Sequence, residues 1–172
     1  RELSVIRDGI PASPGIVIAP AHVLHLDMPR VPHVTITADE VEREEARFHE
    51  ARRHARERIL EIQRQVTERL GTVEANIFDP QLLMLDDVEL VDGTVAYIRE
   101  NHLSAPRALE LRMLELQSQW RRTGHPMVMD RLNDLIDIEM QLLRRLLGLD
   151  DPDLGLSDVK GRVVLVARDL TP

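Results

Sequence analysis

The 172-residue chain contains no cysteine, which excludes disulfides, thiolate metal sites and cysteine nucleophiles together. Aromatic residues make up only 2% of it, too few for the stacking platforms that hold single-stranded nucleic acids. No apolar run approaches the roughly 20 residues that a membrane-spanning helix needs. The opening segment, Arg1-Glu2-Leu3-Ser4-Val5-Ile6-Arg7-Asp8, is too polar for a secretory signal. Positive charge is in deficit: 22 Lys and Arg against 30 Asp and Glu leave a formal net charge of −8. A surface of that sign repels nucleic acid phosphates and steers basic partners toward it. These absences lead us to expect a cytoplasmic protein with neither a nucleic acid nor a membrane partner.

What is present is the composition of a globular domain, 43% hydrophobic and 30% charged. Residues 3–26 read as extended. The apolar runs Ile16-Val17-Ile18-Ala19 and Ala21-His22-Val23-Leu24 are separated by Pro20 and preceded by a segment with two prolines and two glycines. Proline lacks the amide donor and restricts its predecessor, so no helix passes through. A connector follows from Asp27 to Thr35.

Helical signals then dominate. Thr37-Ala38-Asp39-Glu40 fits a capping box. After it, Val41, Phe48, Ala55 and Ile62 recur every seven residues, with Ile59, Val66 and Leu70 widening the stripe, and Gly71 ends the helix. Residues 72–87 read as short helical pieces broken at Asp79-Pro80, with the cluster Leu82-Leu83-Met84-Leu85 before Asp86-Asp87. A third helix is expected from Val88 to Asn101, with Val88, Val91, Val95 and Ile98 on its apolar face. Ser104 is placed as the cap of a fourth, running to about Thr123 with Pro106 in its first turn. After Gly124-His125-Pro126, a fifth carries Leu132, Leu135, Ile138, Leu142 and Leu146 and ends at Gly148. Asp150 to Gly155 reads as a loop, and Val163-Val164-Leu165-Val166-Ala167 as a short buried strand. A sheet of two or three strands is poor by itself, so a truncated domain with a helical insertion is expected.

Several tempting sites dissolve on spacing. His49 and His54 are five apart on a helix and do not face one another, and no His-Glu-x-x-His string occurs, so no metal site is expected. Asp150, Asp151 and Asp153 imitate the start of a calcium loop, but Pro152 and the missing terminal Glu spoil it. The run Arg52-Arg53-His54-Ala55-Arg56-Glu57-Arg58 has Glu interspersed and reads as a salt-bridged solvent face. Leu82 to Leu85 span every side of a helix, so some belong to the core and some face outward. Asp86-Asp87 fits either an N-cap or an exposed acidic rim, and the two are compatible.

Three segments together resemble enzyme I, the phosphoenolpyruvate-protein phosphotransferase family. They are Gly9-Ile10-Pro11-Ala12-Ser13-Pro14-Gly15-Ile16, the segment from Ile77-Phe78 through Leu83-Met84-Leu85-Asp86-Asp87 to Glu89-Leu90, and Val164-Leu165-Val166-Ala167-Arg168-Asp169-Leu170-Thr171-Pro172. The resemblance implies a mainly α fold: a bundle of two packed helical hairpins, 36–149, inserted in a truncated swivelling α/β phosphohistidine domain. To that domain belong 1–35 (strands and connector) and 150–172 (return linker and strand). It implies docking of an HPr-type phosphocarrier for phosphohistidine-to-histidine transfer, in a fragment inactive alone because no Gly-Gly-x-Thr-Ser-His string occurs. No cofactor is implied here, and Mg²⁺ and a homodimer only for the full-length enzyme. By match, the docking residues are Leu83, Met84, Asp87, Glu89, Leu90, Val128 and Arg131. An exposed apolar patch ringed by carboxylates suits a carrier with a basic rim. Aspartate at Met84 or Leu90 is then expected to abolish binding and leave the helices folded. The chain departs from the family pattern at Thr72, Val73 and Ile136. The alternative is a stand-alone helical interaction module or a coiled-coil dimer.

Overall fold

The computed structural model describes residues 8–24, 27–149 and 162–167. The Asp150–Asp153 loop and the Arg168–Pro172 turn lie outside them. The helical part opens where the capping box places it. The Glu40 carboxylate accepts from the Thr37 amide (3.0 Å) and hydroxyl (3.1 Å), and a 3-10 turn, Ala38–Glu40, leads into α1 (Val41–Leu70). Gly71, with φ 109°, terminates α1 and donates its amide to Thr67 O (3.0 Å). Phe48, Ala51, Ala55 and Ile59 are buried, but Ile62 and Leu70 are 36% and 68% exposed, against expectation. A strict seven-residue repeat drifts about 20° per heptad around a straight helix, and three heptads carry Ile62 off the core face.

Short pieces follow: α2 (Thr72–Ala75), a 3-10 turn Asn76–Phe78, and α3 (Asp79–Leu85). The break expected at Asp79-Pro80 is where α3 starts, with Pro80 in its first turn, where its missing amide has no intrahelical partner to lose. The Asp87 carboxylate caps α4 (Val88–Asn101), accepting from Glu89 N at 2.8 Å. The buried face of α4 is Leu90, Thr94 and Ile98, whereas Val88 is 62% exposed. Thr94 escapes a search for apolar residues. It enters the core by donating its hydroxyl to Leu90 O (2.7 Å), which satisfies the hydroxyl inside the helix.

His102 ends α4 in the left-handed region, and Ile36 N donates to its carbonyl (2.8 Å). Ser104 N donates to Val34 O (3.1 Å), so the connector lies along the α4–α5 junction. Helix α5 spans Ala105–Thr123 and α6 spans Pro126–Leu146. The expected cap of α5 is corrected: Ser104 makes no side-chain cap bond, and Ala105 N donates instead to Glu44 Oε2 (2.8 Å). Glu44 is a buried side chain of α1 and is also held by Arg47 Nη1 (2.6 Å), which suits a carboxylate at a helix N-terminus. All five apolar positions expected on α6 are buried. Helix α5 packs against both α4 and α6, and α1 against α4, α5 and α6, around one core.

Strands β1 (Ala21–Leu24) and β2 (Val164–Ala167) pair in parallel, Ala21 opposite Val164. Residues 16–19 form no strand, with Ile16 and Ile18 fully exposed. The buried character expected of the second strand is likewise not met, since Leu165 and Val166 are 42% and 44% exposed. Among the described residues no other element makes more than a marginal contact with this pair.

Candidate docking site

The end of α3 and the start of α4, together with α5 and α6, enclose a cleft of about 200 Å³, lined by Met84, Asp87, Glu89, Leu90, Leu116, Gln119, Trp120 and Leu135. Candidates from the α3–α4 segment therefore do converge. Met84 is half-buried on α3, while Asp87 and Glu89 are exposed at the start of α4. Leu90 needs a correction: it is 1% exposed, a core residue that closes the cleft floor and forms no part of an exposed patch. Its burial follows from the Leu90–Thr94–Ile98 face of α4. Leu83 is 74% exposed on α3 and stands outside the cleft.

Val128 and Arg131 lie on α6, half-buried and exposed respectively, and neither lines the cleft. They precede Leu135 by seven and four residues, so all three share one helix face. Arg131 Nη1 contacts Asp134 Oδ2 (3.4 Å) on its own helix. Ile136, half-buried, is not among the lining residues. Sequence reasoning missed Leu116, Gln119 and Trp120. They belong to a different helix, and the sole tryptophan was the available signal.

Charge around the cleft is arranged in two groups. Asp86, next to the rim, is paired with Arg52 Nη2 (3.2 Å) and with Arg56 Nη1, both from α1. Arg52 Nε also donates to Leu85 O (2.8 Å), closing the end of α3, so the arginine-rich face is salt-bridged as expected but partly across helices. At Glu89, Arg112 of α5 reaches Oε2 (2.6 Å) and also Glu115 Oε2 (2.9 Å), and Tyr97 donates its hydroxyl to Glu115 Oε1. The Tyr97 bond and then the Arg112 pairing hold the Glu115 carboxyl below its ordinary range. Behind the cleft, Glu139 of α6 is 7% exposed and accepts from Gln117 Nε2. Burial pushes its carboxyl up to about 7, against the smaller opposing effect of that hydrogen bond.

Among the described residues no group of three or more His, Asp or Glu could hold a metal ion, and no helix is long and apolar enough to cross a membrane. The site therefore offers shape, apolar surface and carboxylates.

Residues 8–131 match the family described as PEP-utilising enzyme, N-terminal. The phosphoenolpyruvate-protein phosphotransferase of Haemophilus influenzae is 34% identical over 164 residues, covering 95% of this chain and 28% of that protein. The enzyme of the same name from Geobacillus stearothermophilus gives the same figures, 34% identity over 95% of this chain and 28% of its own length. The chain thus spans somewhat over a quarter of the curated relatives it matches. A solution structure of enzyme I superposes with a TM-score of 0.76 at 30% identity, over 94% of this chain and 64% of that one. The N-terminal domain of a nitrogen-type enzyme I shares the fold, with a TM-score of 0.67 at 20% identity over 94% of this chain and 73% of that one.

Proposed function

We propose, from the premise that the chain belongs to the PEP-utilising enzyme N-terminal family, that its helical bundle is the docking platform for an HPr-type phosphocarrier protein. The observation that carries this reading is the convergence of Met84, Asp87, Glu89 and Leu90 with Trp120 at one cleft. Apolar surface from Met84 and Trp120 supplies contact energy, and aromatic anchors in such clefts often dominate affinity. The carboxylates of Asp87 and Glu89 supply attraction for a basic rim, raising the encounter rate more than the affinity. A carrier has to depart after every transfer, and a small cleft with a charged margin suits a fast, weak complex. Leu83 and the Val128–Arg131 face of α6 extend the proposed footprint on either side.

In this reading residues 36–149 form the docking subdomain of two packed helical hairpins. Residues 1–35 and 150–172 belong to the swivelling α/β domain that carries the phosphohistidine in the full enzyme. The phosphoryl group passes there from phosphoenolpyruvate to a histidine and on to the carrier, with Mg²⁺ serving the phosphoenolpyruvate site of a cytoplasmic, homodimeric enzyme. No Gly-Gly-x-Thr-Ser-His string occurs in these 172 residues. Docking, without phosphoryl transfer, is accordingly the contribution assigned to them.

The test is a calorimetric titration of the chain with the HPr-type carrier encoded by the same genome, at low and high salt. Saturable binding that weakens with salt, and that Met84→Asp removes, is the expected result. A folded chain that binds the carrier at neither salt overturns the reading in favour of a stand-alone helical interaction module that shares only ancestry with the family.

A further inference from the structure

The geometry points to Arg112 as a positioning residue of the docking cleft, acting through Glu89; the inference rests on the docking reading above. Glu89 stands at the cleft rim with its side chain 68% exposed. An unsupported glutamate at such a position samples many rotamers, and a partner that engages it has to freeze them. Arg112 removes much of that freedom. Its side chain is only 14% exposed, its Nε donates to the backbone carbonyl of Glu89 (2.7 Å), and its Nη2 donates to Glu89 Oε2 (2.6 Å). One guanidinium therefore grips both the main chain and the side chain of the same residue, which its planar fork of donors makes possible and a lysine does not.

The guanidinium is itself fixed from two sides. Its Nη1 donates to Glu115 Oε2 (2.9 Å), and Glu115 is in turn held by the Tyr97 hydroxyl. Beneath it, Gly93 provides the space. A Cβ at that position would stand 2.3 Å from Arg112 Nε and 2.6 Å from its Cδ. A glycine in the interior of α4 is unfavourable for the helix by itself, and here the absent Cβ lets the arginine lie flat across α4. Among the described residues the second carboxylate oxygen of Glu89, Oε1, has no bond. The arrangement thus aims a carboxylate and leaves half of it available. Ordering a side chain before association lowers the entropic cost of using it.

The experiment is a double-mutant cycle read as the Kd of the HPr-type carrier, with Arg112→Leu, Glu89→Ala and the pair. Far-UV circular dichroism and the melting temperature establish folding. In the otherwise native chain, Arg112→Leu is expected to weaken binding about three- to tenfold, the range for losing the pre-ordering of one long side chain. In the Glu89→Ala background the same change is expected to leave Kd unaltered. Gly93→Ala, which displaces the guanidinium and improves helix propensity, is expected to weaken binding without lowering the melting temperature. Equal weakening by Arg112→Leu in both backgrounds means a merely structural role and overturns the inference, as does no weakening in either. Absence of carrier binding by the native chain overturns the docking reading itself and this one with it.

Discussion

Replacing Glu139 by glutamine tests the energetic reading of the α5–α6 interface with a signed outcome. Glu139 is 7% exposed, and burial raises its carboxyl from 4.5 to about 7. A carboxyl whose folded value lies above its unfolded value binds its proton more tightly in the folded state. The associated stability is therefore fully present below the unfolded value and is lost as pH rises toward the folded one. Between pH 4.5 and 7 the loss amounts to about 3 kcal/mol, since each unit corresponds to about 1.4 kcal/mol. Glu139→Gln presents a neutral group of the same shape, and its amide oxygen still accepts from Gln117 Nε2.

The variant is therefore expected to be more stable than the native chain by up to about 3 kcal/mol at pH 8, equivalent to about 6–12 °C in melting temperature for a chain of this length. At pH 5, just above the unfolded value, the difference should shrink to about 1 kcal/mol. Urea unfolding followed by circular dichroism at pH 5, 6, 7 and 8 measures the difference. Contributions from every other group are common to the two proteins and cancel in the difference. Parallel stability curves, with the same offset at every pH, refute the assignment of the titration to Glu139.

Glu44→Ala removes the cap of α5 and the partner of Arg47, and is expected to cost about 3 kcal/mol in a denaturant titration. Leu90→Asp places a carboxylate at a 1% exposed core position, and burying an unpaired charge costs several kcal/mol, so this variant should lose its cooperative melting transition. Met84→Asp, at a half-buried position on the cleft, should keep its helices by circular dichroism and lose carrier binding. Raising ionic strength shortens the reach of exposed carboxylates such as Asp87, so stopped-flow association with the carrier should slow more than dissociation accelerates.

The helices and most of their ends are legible in the local order of residues. The Thr37–Glu40 box, Gly71, Asp87, Pro106 and the apolar face of α6 act within one or two turns of chain, and their signals are printed in the local order of residues. The sequence by itself also located the α3–α4 segment of the cleft, through the resemblance carried by Leu83 to Leu90. Tertiary structure decided what those helices meet. Glu44 caps a helix that begins 61 residues later, and Arg112 grips Glu89 across 23 residues of separation. Leu90 passed from surface candidate to core because α4 packs on its Leu90–Thr94–Ile98 face, which can include a threonine since the Thr94 hydroxyl is satisfied by Leu90 O. Burial raises the Glu139 carboxyl, and that burial arises only once α6 is packed against its neighbours, α5 among them. Periodicity encodes which side of a helix is apolar, but long-range burial and pairing depend on which surfaces come together, and that is fixed only when the whole core forms.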